Sequence, residues 1–207
     1  VSKATCLAAI ACVVGAALPT SAAAQFEFTP FFASYYALTP INSDVDGTGT
    51  IKERQTPAPA LGGRFTFWLG SSFGIEAAGS FALSGTRFVS DNATGGAGFS
   101  LAGTLITGSG RLLYRPARTN LHFLIGGGVV SRGGDTWDFA NITSKTDIGG
   151  VVGFGVKASV TPKFALNVGV ESFLYSADPD GSGSGYDTEF QADIYVTIGV
   201  PISFGGR

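Results

Sequence analysis

The chain has 207 residues, a formal net charge of −2 from 13 basic and 15 acidic side chains, and a composition that is 44% hydrophobic but only 14% charged. A charge balance so close to neutral excludes a basic nucleic-acid-binding surface. Beyond the first two dozen residues no apolar run approaches the ~20 residues a membrane helix needs, so the hydrophobicity is not that of a helical membrane protein.

In chain order, the first element is a leader. Lys3 precedes an apolar stretch from Ala4 to Leu18, and Ala22-Ala23-Ala24 stand before Gln25. That is the layout of an export signal peptide, residues 1–24, cleaved after Ala24. Cys6 and Cys12 both lie within it, so residues 25–207, expected to form one domain, carry no thiol and no disulfide.

From Gln25 onward the pattern alternates apolar and polar residues in segments at 26–40, 58–70, 72–84, 99–114, 120–131, 147–160, 164–176 and 187–204. The linkers after the second, fourth and sixth are short: Gly70-Ser71-Ser72, Arg115–Asn120 and Thr161-Pro162-Lys163. The others, at 41–57, 85–98, 132–146 and 177–186, are long, polar and largely without pattern. An even number of strands closes without an edge, and this rhythm predicts an all-β, eight-stranded antiparallel up-and-down transmembrane β-barrel with both chain ends on the short-turn side. Alternation alone also fits a soluble β-sandwich; the leader and a continuous apolar face favour the barrel.

Successive strand residues face opposite sides of a wall. In the last segment Phe190, Ala192, Ile194, Val196, Ile198, Val200, Ile202 and Phe204 share one face, and Glu189, Gln191, Asp193, Tyr195, Thr197 and Ser203 the other. The third and seventh behave alike, with Glu76 and Glu171 opposite aromatic and aliphatic residues. Arg64 and Lys157 take the polar face of the second and sixth, and a bulge in the irregular fourth segment is expected to turn Arg111 inward. The expected site is therefore a lumen charge network of Arg64, Glu76, Arg111, Lys157, Glu171 and Asp193, with Glu27 and Glu189 nearer the ends. Charges at that depth call for mutual pairing. Tyr35, Tyr36, Trp68, Tyr114, Phe164 and Tyr175 lie near segment ends, where aromatic girdles are expected.

The closing pattern Thr197-x-Gly199-x-x-Ile202-x-Phe204 resembles the C-terminal signal that outer-membrane barrels present to their assembly machinery, although Gly205-Gly206-Arg207 follow it. With these features, and with turn passages such as Val160–Leu166, the chain resembles the small eight-stranded outer-membrane barrels typified by the OmpA N-terminal domain and OmpX, and more loosely OmpW. The resemblance implies the outer membrane of a Gram-negative bacterium with periplasmic termini. It implies outer-membrane lipid, lipopolysaccharide and the barrel-assembly machinery as partners, and a role in membrane integrity, surface interaction or minor permeability.

Catalysis is not expected. His122, the only histidine, follows a short turn and points inward with no nucleophile in pattern beside it. No cofactor and no metal site is assigned. Asp178-x-Asp180-x-Ser182-Gly183 with Glu189 has the spacing of a calcium loop, and Asp44-x-Asp46-x-Thr48-Gly49 begins the same way. Neither is flanked by helices, and both also suit a solvated loop. The expected function is a non-catalytic barrel with a structural or surface-interaction role and a lumen filled by side chains. The alternative is a narrow porin-like conduit for small or hydrophobic solutes, favoured by the volume left at inward glycines Gly62, Gly126, Gly128, Gly153 and Gly155.

Overall fold

The computed structural model describes residues 25–40, 42–46, 49–91, 98–134, 146–161, 164–177 and 189–204. The leader and the Asp178–Ser182 loop lie outside the described residues. In chain order the strands are β1 (Gln25–Ala37), β2 (Asn42–Asp46), β3 (Gly49–Gln55), β4 (Ala58–Leu69), β5 (Phe73–Ala82), β6 (Thr86–Asp91), β7 (Gly98–Leu101), β8 (Thr104–Tyr114), β9 (Leu121–Gly133), β10 (Thr146–Thr161), β11 (Phe164–Ala177), β12 (Glu189–Gly199) and β13 (Ile202–Phe204).

The order β12-β11-β10-β9-β8-β5-β4-β1, with β1 returning to β12, closes an eight-stranded antiparallel barrel, and β13 prolongs the line of β12 along β1. Following partners once around, Glu27 to Thr66, Glu76, Arg111, Gly126, Val151, Phe173, Asp193 and Ala37, returns to β1 ten residues beyond the start. With strands ~4.8 Å apart rising ~3.3 Å per residue, that stagger tilts them by roughly 40° and leaves an interior wide enough for side chains and little else.

Alternation sets what each face carries. Outward go Phe32, Leu61, Phe65, Phe81, Ile106, Leu112, Ile125, Phe154 and Ile198, each at least 45% exposed. A continuous apolar exterior on a closed barrel is stable only in hydrocarbon, where closure leaves no unpaired edge. The protein is a transmembrane β-barrel. Inward go Thr29, Arg64, Thr66, Glu76, Arg111, Asn167, Glu171, Asp193 and Thr197, all buried.

Several expectations need correction. Arg111 reaches the lumen by plain alternation: β8 pairs with β5 and β9 in unbroken register. The described register shift lies instead between Ser159 and Thr161, where β10 meets β11. Three of the expected girdle aromatics, Tyr35, Trp68 and Tyr175, are buried in the lumen at 0%, 5% and 3% exposure, while Tyr36, Tyr114 and Phe164 face out. Their distance from the strand ends suited a girdle, but their parity within each strand did not. The linkers at 41–57 and 85–98 are not patternless, because β2, β3, β6 and β7 form a second, four-stranded sheet at the long-loop end. Asp44 and Asp46 belong to β2 of that sheet. The last segment is interrupted at Val200-Pro201, where proline has no N–H for the ladder.

Candidate functional site: the barrel lumen

Among the described residues, the charged side chains of the lumen fall into three groups. Nearest the short turns, Lys157 pairs with Glu27, and Ser203 Oγ donates to Glu27 Oε2 at 3.5 Å. Arg115, in the β8–β9 turn, lies 3.9 Å from the Trp68 ring centroid. Burial lowers the pKa of this guanidinium from its ordinary value, and the Glu27 carboxylate opposes the shift. His122 is buried on the inner face of β9.

Higher up, four strands deliver Arg64, Glu76, Arg111 and Glu171 to one cluster. Arg64 Nη2 meets Glu171 Oε1 at 3.2 Å and donates to Thr197 Oγ1 at 2.8 Å. Arg111 pairs with Glu76 at 3.3 Å and also with Glu171. Thr66 Oγ1 donates to Glu76 Oε2 at 2.8 Å, and Arg111 Nε donates to Ser109 Oγ at 2.7 Å. All four charged side chains are at most 5% exposed. Two cations and two carboxylates cancel, so the cluster holds no net charge in a region where an unpaired charge is very unfavourable. The Arg64 guanidinium also stacks on Phe31 at 4.5 Å.

Above it, Tyr195 sits between Phe173 and Tyr35, with ring centroids 5.6 and 5.1 Å away, and a third polar group follows. Arg132 bonds to Asp147 and to Tyr175, and Tyr175 OH donates to Asp193 Oδ2 at 2.6 Å. Tyr35 OH donates to Gln55 Oε1 at 3.0 Å, tying the barrel wall to β3 of the outer sheet.

Of the six residues predicted for a lumen network, the structure thus gathers Arg64, Glu76, Arg111 and Glu171 in one cluster. It places Lys157 with Glu27 below and Asp193 with Tyr175 and Arg132 above. Arg132 and Asp147 were absent from the predicted set, although the alternation Gly126, Gly128, Val130 extends inward to Arg132 and that of Val151, Gly149 extends to Asp147. The glycine argument for open volume is also corrected. A Cβ on Gly62 would lie 2.3 Å from Phe31 Cζ, one on Gly126 2.1 Å from Gly110 O, one on Gly128 2.7 Å from Gly108 O, one on Gly153 2.6 Å from Val170 O, and one on Gly155 2.6 Å from His122 Cε1. These glycines admit neighbouring atoms rather than solutes. Among the described residues no three His, Cys, Asp or Glu side chains gather as a metal site.

No protein-family model matches the chain, and no curated protein matches it. Solved structures do. The outer membrane protein OprG from Pseudomonas aeruginosa aligns with a TM-score of 0.56 at 14% identity, over 89% of this chain and 98% of that one. The fold is that of the small eight-stranded outer-membrane barrels. The outer membrane protein AlkL, solved in DMPC bilayers, gives 0.52 at 12% identity over 91% of this chain and 93% of that one. At such identities the likeness concerns the fold, and what this barrel does rests on its own residues.

Proposed function

We propose that the chain is a non-catalytic outer-membrane protein of a Gram-negative bacterium, with a structural or surface-interaction role and a lumen filled by its own side chains. The observation that carries this reading is the column of mutually paired charges and packed rings from Lys157–Glu27, through the Arg64–Glu171–Arg111–Glu76 cluster and the Phe173–Tyr195–Tyr35 rings, to Arg132–Asp147. In the central cluster the charges already neutralise one another and so offer a passing ion no site, and the packing of Tyr195 against Phe173 and Tyr35 supports a filled bore. The alternation of short turns and long loops supports an orientation with the short turns in the periplasm and the β2-β3-β6-β7 sheet outside. Outer-membrane lipid and lipopolysaccharide then surround the apolar wall, and the Thr197–Phe204 pattern is what the barrel-assembly machinery reads.

The test is single-channel conductance of the refolded barrel in a planar bilayer, after confirming folding by its shift on unheated gels. Silence is the expected result. Discrete, steady openings would overturn the filled lumen and restore the conduit for small or hydrophobic solutes.

A further inference from the structure

Among the described residues, the barrel wall is incomplete beside Pro201. Pairing of β11 with β12 ends at Asn167 opposite Gly199, and β13 pairs with β1. Phe164, Ala165 and Leu166 are laddered to β10 on one side and, among the described residues, to no strand on the other. Two local features produce the gap. Pro201 lacks the N–H that would continue the ladder toward β11, while Val200 N continues the ladder on the other side, donating to Pro30 O of β1 at 3.1 Å. Opposite them, the register of β10 slips between Ser159 and Thr161. The result is a cleft of about 440 Å³ at the short-turn end of the wall, with Lys157, Ser159 and Ser203 among its polar lining and Phe164 and Ile202 among its apolar lining.

A break in the ladder cannot face hydrocarbon, because backbone groups without partners need another hydrogen-bonding group. Here the break lies at the short-turn end of the strands, which on the proposed reading is where a bilayer's polar headgroups begin. Its lining is amphiphilic in the matching sense. Lys157, whose side chain keeps 24% of its exposure while pairing with Glu27, and the two serines face inward; Phe164 and Ile202, 41% and 44% exposed, face out. Lys157 is the charged side chain of its described lining. Arg115, Arg118 and Lys157 stand at this end against Glu27, which is 3% exposed. The sequence puts no acid in the three short turns 70–72, 115–120 and 161–163.

We propose that this cleft seats the phosphodiester headgroup of an anionic phospholipid, with an acyl chain along Phe164 and Ile202. The proposal rests on the reading of the chain as a barrel whose short turns meet a phospholipid leaflet. Lys157 and the serine hydroxyls supply donors to the phosphate, and the lipid closes the part of the wall that Pro201 leaves open.

The test uses the protein refolded into vesicles of equimolar phosphatidylcholine and phosphatidylglycerol, extracted into mild detergent, with the retained lipid identified by native mass spectrometry. The wild type is expected to retain phosphatidylglycerol over phosphatidylcholine by roughly fivefold, the ratio corresponding to about 1 kcal/mol for one basic residue near an anionic headgroup. K157Q should bring the two lipids near parity. P201V, which restores an N–H and lets the strand run on beside β11, should lose the retained lipid yet still show the folded gel shift. Equal retention of the two lipids by the wild type would overturn the proposal, as would P201V retaining phosphatidylglycerol like the wild type. Displacement of the lipid by inorganic phosphate alone would also overturn it, in favour of a free-phosphate site. If K157Q does not fold, P201V decides. Failure of the barrel reading would show separately, as loss of the gel shift in every variant.

Discussion

Replacing Glu171 with Gln tests the lumen cluster at its centre. Glu171 is the carboxylate that both Arg64 and Arg111 contact, and its side chain is 4% exposed. In the substituted protein Arg111 keeps Glu76 at 3.3 Å, but Arg64 loses its carboxylate and keeps the neutral Thr197 hydroxyl at 2.8 Å and the Phe31 ring, and the cluster acquires a net positive charge. Removing one partner of a buried ion pair costs about 3–5 kcal/mol. The lower end applies here, because the Gln carbonyl still accepts one hydrogen bond, so E171Q should lose about 3 kcal/mol. The double variant R64M/E171M removes the stranded charge together with its partner and should recover most of that loss, since apolar replacement of a whole buried pair is often neutral or better. Urea titration of the barrel in vesicles, followed by tryptophan fluorescence and by the gel shift, measures both. An E171Q midpoint equal to that of the wild type, or a double variant no more stable than E171Q, would refute the reasoning and mean that lumen water solvates these charges.

Two further predictions concern packing and the outer sheet. Ala at Gly126 places a Cβ 2.1 Å from Gly110 O and 2.8 Å from Arg111 Cα, whereas Ala at Gly110 finds nothing within 4 Å. G126A should therefore be destabilised by about 1–3 kcal/mol, while G110A is neutral or gains about 0.5 kcal/mol, and the same urea titration separates them. Y35F removes the hydroxyl that donates to Gln55 Oε1. A loss of about 1 kcal/mol is expected, and hydrogen exchange should show it as faster exchange in β3 with the β1–β4 and β1–β12 ladders unchanged; uniform acceleration across the barrel would contradict a link confined to the outer sheet.

The barrel was legible because a strand in a membrane wall has one requirement per residue. The parity that put Phe190, Ala192 and Ile194 on lipid and Gln191, Asp193 and Tyr195 inside holds along β12, and the same parity places Arg64, Glu76 and Glu171 within. Local alternation thus determined the eight wall strands and the face of most of their residues, including four of the charges that meet in the central cluster, but not the four strands of the second sheet. It did not determine partners. Whether Glu171 meets Arg64, 107 positions away, depends on a stagger of ten residues accumulated around eight strands. That same stagger carries Asp193 up to Tyr175 and lets Lys157 fall to Glu27. The role of the inward glycines was likewise a tertiary matter, because whether a missing side chain leaves room or is filled by a neighbour depends on what the opposite strands bring, such as Phe31 against Gly62. The gap beside Pro201 needed both kinds of information: the proline is visible in the chain, but the unpaired stretch of β11 that it leaves exists only once the two strands lie side by side.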